Sequence, residues 1–383
     1  MSGVRSHAVL AESVFDGRTV HRQCAVAIDG DRIVGLLAHA DVPAGMPMRT
    51  LPEGAWLAPG FIDVQVNGGG DVLFNDEPTP EGIAAIVAGH RKFGTTSLMP
   101  TLITDTREKM RAALDAVRRA APADPGVLGI HFEGPFLSPG KPGVHDPALI
   151  RRPDDEDATL LCAPQRHCTV VTLAPEEAPP GFVARLAGAG VRVCLGHSMA
   201  TYAQTKAALA EGLAGFTHLF NAMRPLESRE PGPIAAALEA PGAWFGMIVD
   251  GMHVAPAMLR LALRGVSHPM LVTDAMPPVG GNEACFKLYG ENIVVRDGRC
   301  ARANGTLAGA ALGMAAVVRN TVRLLEVPLT DALRFASTEP ARFLGLGREL
   351  GRVAPGYRAD MVAFDPSAMS VVETWVAGKA SSV

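Results

Sequence analysis

Gly129-Ile130-His131-Phe132-Glu133-Gly134-Pro135-Phe136 reads as a short apolar strand that ends in a carboxylate and is stopped at once by Gly-Pro, with His145 nine residues further on. A carboxylate at the end of a buried strand costs several kcal/mol or more unless something pairs with it. A metal ion is the expected partner, because two later strand-like runs each end in a histidine, His197 and His218.

Working outward, short β-rich apolar runs alternate with Ala-rich segments of helical period, the pattern of βα units on a parallel sheet. Eight runs fit: Leu57–Val66, Thr95–Thr101, Val127–Glu133, Cys168–Ala174, Val191–His197, Gly215–Leu219, Trp244–Asp250 and Pro269–Asp274. Helices are expected between most of them, at Pro80–Phe93, Arg107–Ala121, Ala200–Gly212 and Ala255–Gly265. This predicts an α/β fold, a (β/α)8 TIM-like barrel, a design that usually takes about 250 residues. A doubly wound open sheet is the alternative, but Asn67-Gly68-Gly69-Gly70 is a poor Gly-rich fingerprint because no helix signal follows directly.

Both ends of the chain read differently. Ala25–Ile28 and Arg32–Leu36 around Asp29-Gly30-Asp31 predict a hairpin within a β-rich stretch that starts at Val4. Gly356–Phe364 and Ser370–Val376 are strand-like, with no helix between them. The predicted division is therefore residues 1–58 plus 350–383 as one small β domain closed by both termini, and 59–349 as the barrel. After the eighth run, Phe286–Arg302 predicts a hairpin turning at Asp297-Gly298, then Asn304–Gly309 a loop feeding a long helix, with another helix at Asp331–Leu344.

Composition narrows the function classes. The chain has 383 residues, 48% hydrophobic and 19% charged, with a formal net charge of −4. That balance leaves no basic footprint for nucleic acid. No apolar run of membrane-spanning length occurs, and Met1–His7 lacks the apolar core of a signal peptide, so a cytoplasmic location is expected. The six cysteines form no CxxC pair and read as reduced, mostly buried thiols.

Polar residues gather where the runs stop: Gln65 and Asn67, Glu133, His197, His218, Asp250 shortly before His253, and Asp274. In a barrel these strand ends share one mouth, where active sites sit. Glu133, His197 and His218 form a carboxylate and two imidazoles, a set that suits a catalytic Zn²⁺ or similar ion. Such an ion lowers the pKa of its water from about 15.7 to about 7, and Asp274 is the natural general base. Taken singly, a strand-end histidine is more often a hydrogen-bonded structural residue, and Asp274 could be a helix N-cap. Four such residues at four strand ends favour the metal site. Strand alternation puts His131 on the face of Glu133, as a group behind the ligands. His7, His21, His39, His90, His167 and His268 are expected at the surface.

The motifs Pro59–Gly68, His131–Phe136, Gly196-His197-Ser198, Thr217–Met223, Arg229–Gly232, Asp250–His253, Val272–Ala275 and Gly305–Gly309 resemble, in order, those of the amidohydrolase superfamily. Within it they resemble the N-acetylglucosamine-6-phosphate deacetylases. The resemblance implies a barrel carried by a small β-sandwich built from the N- and C-terminal segments. It also implies hydrolysis of the acetamide of N-acetyl-D-glucosamine 6-phosphate, in amino-sugar recycling. Carried over, Glu133, His197 and His218 are metal ligands, Asp274 is base and acid, and His145 polarises the carbonyl. Val144, His145, Asn221, Ala222, Arg229, Asp250, His253, Leu307, Ala308 and Gly309 match its sugar-phosphate contacts. Without the family, Arg229 reads as a solvated loop arginine paired with Glu227 or Glu230.

Many amidohydrolases place His-x-His on the first strand to hold a second metal, and Gln65-Val66-Asn67 stands there instead. An amide is a poor Zn²⁺ ligand beside imidazole, so one divalent ion per subunit is expected: Zn²⁺ first, with Fe²⁺, Co²⁺ or Mn²⁺ served by the same ligands. The resemblance further implies a homodimer, since in some members the neighbouring subunit supplies phosphate-binding groups; Arg229 and His253 are the residues concerned. Two other readings stay open: a deacetylase of a related substrate such as N-acetylgalactosamine 6-phosphate, and a non-catalytic sugar-phosphate-binding protein.

Overall fold

The computed structural model describes residues 6–296 and 298–382. Eight strands form one parallel sheet: β1 (Phe61–Val66), β2 (Thr95–Ile103), β3 (Gly129–Glu133), β4 (Cys168–Leu173), β5 (Arg192–Leu195), β6 (Gly215–Phe216), β7 (Trp244–Met247) and β8 (His268–Leu271). Neighbours in sequence are neighbours in the sheet. The two edges meet just beyond the end of β8. There Val66 bridges Ala275 in parallel, and the Asp274 N–H donates to the Gln65 carbonyl at 3.1 Å. All six residues of β1 are buried, as expected of a strand covered on both faces.

Helices cover the strands where the sequence provides starts. Thr79 caps Pro80–Arg91 and Thr106 caps Arg107–Ala120, each accepting a backbone N–H of the first turn. Thr201 and Gln204 form a capping box on Tyr202–Ala210. The short helices Asp155–Leu161, Phe182–Gly188 and Gly232–Leu238 were not among those expected from periodicity, because seven residues give barely two turns of pattern.

Both chain ends join in one eight-stranded sheet. Trp56–Pro59 is its keystone, parallel to His7–Phe15 on one side and antiparallel to Met361–Phe364 on the other. The first apolar run is therefore two strands rather than one. It breaks at Gly60, where a Cβ would sit 2.2 Å from Thr96 Oγ1.

Three further expectations are corrected. The insert after β8 is a four-stranded antiparallel sheet, with Leu307–Ala310 a strand rather than a loop. Its first turn lies at Tyr289-Gly290, both at positive φ; Asp297, expected at the other turn, lies outside the described residues. The helix expected over Asp331–Leu344 is two, Leu329–Ala336 and Thr338–Phe343. The break falls at Ser337, and Pro340 has no N–H with which to continue an earlier helix. His90 is fully buried rather than at the surface, bonded through Nε2 to the Gly68 carbonyl at 2.9 Å. Cys285 is exposed, whereas Cys24, Cys194 and Cys300 are buried.

Candidate metal centre and active site

Three of the polar strand ends turn sharply. His197 (φ 49°), His218 (φ 31°) and Asp274 (φ 51°) all occupy the left-handed region that non-glycine residues avoid. Strain of this kind costs about 1–3 kcal/mol per residue and gathers at functional sites. Glu133 avoids it because Gly134 takes the positive φ in its place.

These turns bring Glu133, His197 and His218 together. One ligand atom from each lies within 4.8 Å of the others, and all three residues are buried. The two Nε2 atoms are 3.2 Å apart and both face Glu133 Oε1, at 2.8 Å from His218 and 3.3 Å from His197. His197 Nδ1 donates to the Lys141 carbonyl at 2.9 Å, which leaves Nε2 as the lone-pair nitrogen of its neutral form. Two facing imidazole nitrogens and a carboxylate oxygen are electron-rich atoms crowded on one point, and a divalent cation fits them. Burial alone would raise the Glu133 pKa, but its close contacts with the His197 and His218 imidazoles outweigh it and hold the carboxyl well below its usual range.

Asp274 lies beside this cluster. Its Oδ1 accepts from Gln65 Nε2 at 3.1 Å and from Asn67 Nδ2 at 2.7 Å, while Oδ2 has no hydrogen bond among the described residues. Gln65 Nε2 also donates to Glu133 Oε2 at 3.1 Å, so one amide links Asp274 and Glu133. Burial, then the Glu133 charge, pushes Asp274 up to about 6.

The tautomer of His145 follows from its partners. Its Nδ1 accepts from the Thr104 backbone N–H at 3.3 Å and meets Thr104 Oγ1 at 2.8 Å. A backbone N–H can only donate, so the ring proton is on Nε2. Burial above all holds its pKa well below the imidazole range, keeping the ring a neutral donor.

His131 is engaged elsewhere. Its Nδ1 donates to the Val64 carbonyl at 2.9 Å, and its Nε2 accepts from Thr172 Oγ1 at 2.7 Å. It ties β3 to β1 and β4 behind Glu133.

A cavity of about 280 Å³ opens over the site, near the low end of small-ligand pockets, about 300–1,000 Å³. Asn67, Glu133, His145, His197, His218 and Asp274 line it, joined by Val144, Asn221, Ala222, His253, Leu307 and Gly309. Asp250 stands behind His253, accepting from its Nδ1 at 2.6 Å. Ala308 is fully buried and Gln65 lies behind Glu133; neither reaches the cavity wall. Arg229 also lies outside it, exposed, with no hydrogen bond or ion pair among the described residues, so the pairing with Glu227 or Glu230 does not form.

Sequence reasoning missed Thr104, the Lys141 carbonyl and Arg302, which donates to the Val144 carbonyl at 3.1 Å. Lys141 acts through its backbone carbonyl, which leaves no residue signal, and Thr104 through its backbone N–H as well as its hydroxyl. Arg302 is brought in by the antiparallel insert. That insert also fixes Asp274: Ala310 N–H donates to the Asp274 carbonyl at 2.9 Å, and a Cβ on Gly309 (φ 62°) would lie 2.6 Å from the same oxygen. Gly309→Ala is therefore expected to move Asp274 and lower kcat at least about tenfold, with metal content unchanged; a steady-state assay with metal analysis checks this.

The amidohydrolase family's sequence profile matches residues 56–381. The chain is 41% identical over 362 residues to the N-acetylgalactosamine-6-phosphate deacetylase of Shewanella sp. (strain ANA-3), covering 93% of this chain and 91% of that protein. It is 35% identical over 378 residues to the N-acetylglucosamine-6-phosphate deacetylase of Haemophilus influenzae, covering 97% and 98%. The crystal structure of N-acetylglucosamine-6-phosphate deacetylase from Pasteurella multocida superposes with a TM-score of 0.95 at 35% identity, covering 99% of this chain and all of that one. Among the described residues no helix is long and apolar enough to cross a membrane.

Proposed function

The chain belongs to the amidohydrolase family, and from that premise we propose that it hydrolyses the acetamide of N-acetyl-D-glucosamine 6-phosphate to D-glucosamine 6-phosphate and acetate. It is a hydrolase of amide bonds, and its relatives deacetylate amino-sugar phosphates. The observation that carries the proposal is the convergence of Glu133, His197 and His218 with Asp274 and His145 in one cavity.

A divalent ion held by Glu133, His197 and His218 would supply Lewis-acid polarisation and a nucleophile at neutral pH. The remaining work falls to side chains. Asp274 takes the proton of the attacking water on Oδ2, the oxygen with no hydrogen bond among the described residues, and returns it to the leaving amine. His145 donates its Nε2–H to the carbonyl oxygen as negative charge develops there. His253, held by Asp250, offers its Nε2 at the cavity wall to the sugar phosphate.

The test is acetate release by metal-loaded and metal-stripped protein from N-acetylated amino sugars with and without the 6-phosphate. No metal-dependent acetate from any of them would sink the enzyme reading and leave the non-catalytic binder, against which the filled catalytic set argues. The second reading, N-acetylgalactosamine 6-phosphate, is favoured by the relative at 41% identity. The ratio of kcat/KM between the two epimers decides it.

We read the protein as a cytoplasmic homodimer of chains divided into 1–58 plus 350–383 and 59–349, with the exposed Arg229 reaching the neighbouring subunit's cavity. A guanidinium can hold two phosphate oxygens at once. Arg229→Ala is expected to lower kcat/KM on the phosphorylated substrate about a hundredfold, with little change on the unphosphorylated one. Mixing it with a subunit lacking Asp274 should restore part of that loss in mixed dimers. Absence of any recovery would place Arg229 at its own site.

A further inference from the structure

We propose that Asn67 orients the substrate: its Oδ1 accepts the hydrogen on the scissile amide nitrogen and so turns that nitrogen's lone pair toward Asp274. The inference rests on the amide-hydrolysis reading above.

Asn67 follows β1 and is 2% exposed. Its backbone is pinned at both ends, N–H to the Ala275 carbonyl at 2.9 Å and carbonyl to the Phe74 N–H at 2.8 Å. Its side-chain orientation is decided by Asp274. Nδ2 lies 2.7 Å from Asp274 Oδ1, and an ionised carboxylate can only accept, so the amide nitrogen must face it. Oδ1 is thereby turned away. It is buried and has no hydrogen-bond partner among the described residues, and Asn67 lines the cavity. The neighbouring amide is not available for this task, because Gln65 does not reach the cavity wall.

An acceptor kept buried without a donor is costly, and an amide substrate brings one donor at the reacting centre, its N–H. Hydrolysis adds water to the acyl carbon and breaks the C–N bond. The water gives its hydroxyl to carbon and a proton to Asp274. The nitrogen becomes pyramidal, receives that proton on its new lone pair and leaves with the electrons of the C–N bond. The proton can arrive only if the lone pair faces Asp274. The N–H and the lone pair point in different directions from nitrogen, so holding the hydrogen on Oδ1 sets the lone pair. Because the same side chain touches Asp274 through Nδ2, both orientations are fixed by one residue. Asn67 itself neither gains nor loses a proton.

An oxygen ester has no hydrogen at that atom, which supplies the test. Wild type and Asn67→Ala are assayed on N-acetyl-D-glucosamine 6-phosphate and on 2-O-acetyl-D-glucose 6-phosphate, with metal content and melting temperature measured alongside. Gly309→Ala, which displaces Asp274 and leaves Asn67 in place, sets how far loss of support for Asp274 alone separates the two substrates, since an amine leaving group needs the proton more than an alcohol does. The amide should lose about tenfold to a hundredfold more kcat than the ester. An amide-to-ester loss ratio no larger than that of Gly309→Ala would overturn the proposal, since that much follows from displacing Asp274 alone. If the alanine variant does not fold, the same ratio is read with Asn67→Ser. A wild type that releases acetate from the ester but none from the amide would instead overturn the function proposed above, and this inference with it.

Discussion

Replacing Asp274 with asparagine is expected to lower kcat for acetate release by about 10²–10⁴-fold, the usual contribution of a general acid–base, while the protein still folds and still holds its metal. Asparagine has nearly the same shape, so the strained backbone at φ 51° and its bonds to Gln65 and Ala310 have no reason to change. Its side-chain oxygen can keep accepting from Gln65 and Asn67, as Oδ1 does now. What disappears is the acid–base function of Oδ2. The pH profile gives an independent check. A base works ionised, so the rate should fall as pH drops through its pKa. Burial and the Glu133 charge raise that value to about 6, and a cation on Glu133 would pull it back down. The acid limb of kcat/KM is expected at or below about pH 6 in the wild type. A variant within threefold of wild-type kcat would mean the base is another residue. Proportional loss of metal would mean the defect is structural.

The strand ends were legible because two independent patterns coincided at Glu133, His197, His218 and Asp274: an apolar run stopping, and a chemically expensive residue at the stop. The barrel rule then placed them in one mouth. Gly60 was not legible, since Leu57–Val66 reads as one strand-like run and the change of sheet is imposed by packing against Thr96. His90 was misjudged for a related reason. Helical position gives a face but not a neighbour, and its neighbour is the glycine run after β1. A Cβ on Gly69 would lie 2.7 Å from the His90 ring, and one on Gly68 would meet the Val72 carbonyl oxygen at 2.5 Å. The Gly68-Gly69-Gly70 stretch, a poor nucleotide fingerprint, is thus the close approach that lets His90 and the loop seat beneath Asn67. Nor does sequence reveal which way a side-chain amide faces. The unpartnered Oδ1 of Asn67 emerges only when Asp274 Oδ1 stands 2.7 Å from Nδ2.

Glu133→Gln should abolish activity by a different route, through the metal. The substitution keeps the shape and removes the only negative charge among the three ligands, leaving two imidazoles and a weakly donating amide. Loss of partners behind metal ligands alone costs about 10–100-fold in affinity, so loss of the charged ligand itself should cost at least about a hundredfold. Stability carries the same signal. An ion that binds only the folded chain stabilises it by about 2.7 kcal/mol at a hundred times its Kd, so chelation should lower the melting temperature of the wild type and leave the variant unmoved. The same metal analysis bears on stoichiometry. Glu133 Oε1 faces both imidazoles, but Oε2 is taken by the Gln65 amide at 3.1 Å, and the Asn67 amide just past β1 is bonded to Asp274. With Oε2 so engaged and no imidazole on β1, Glu133 is suited to one ion rather than to bridging two. About one tight equivalent per active wild-type chain is expected, and two tight equivalents in fully active protein would refute the single-ion reading.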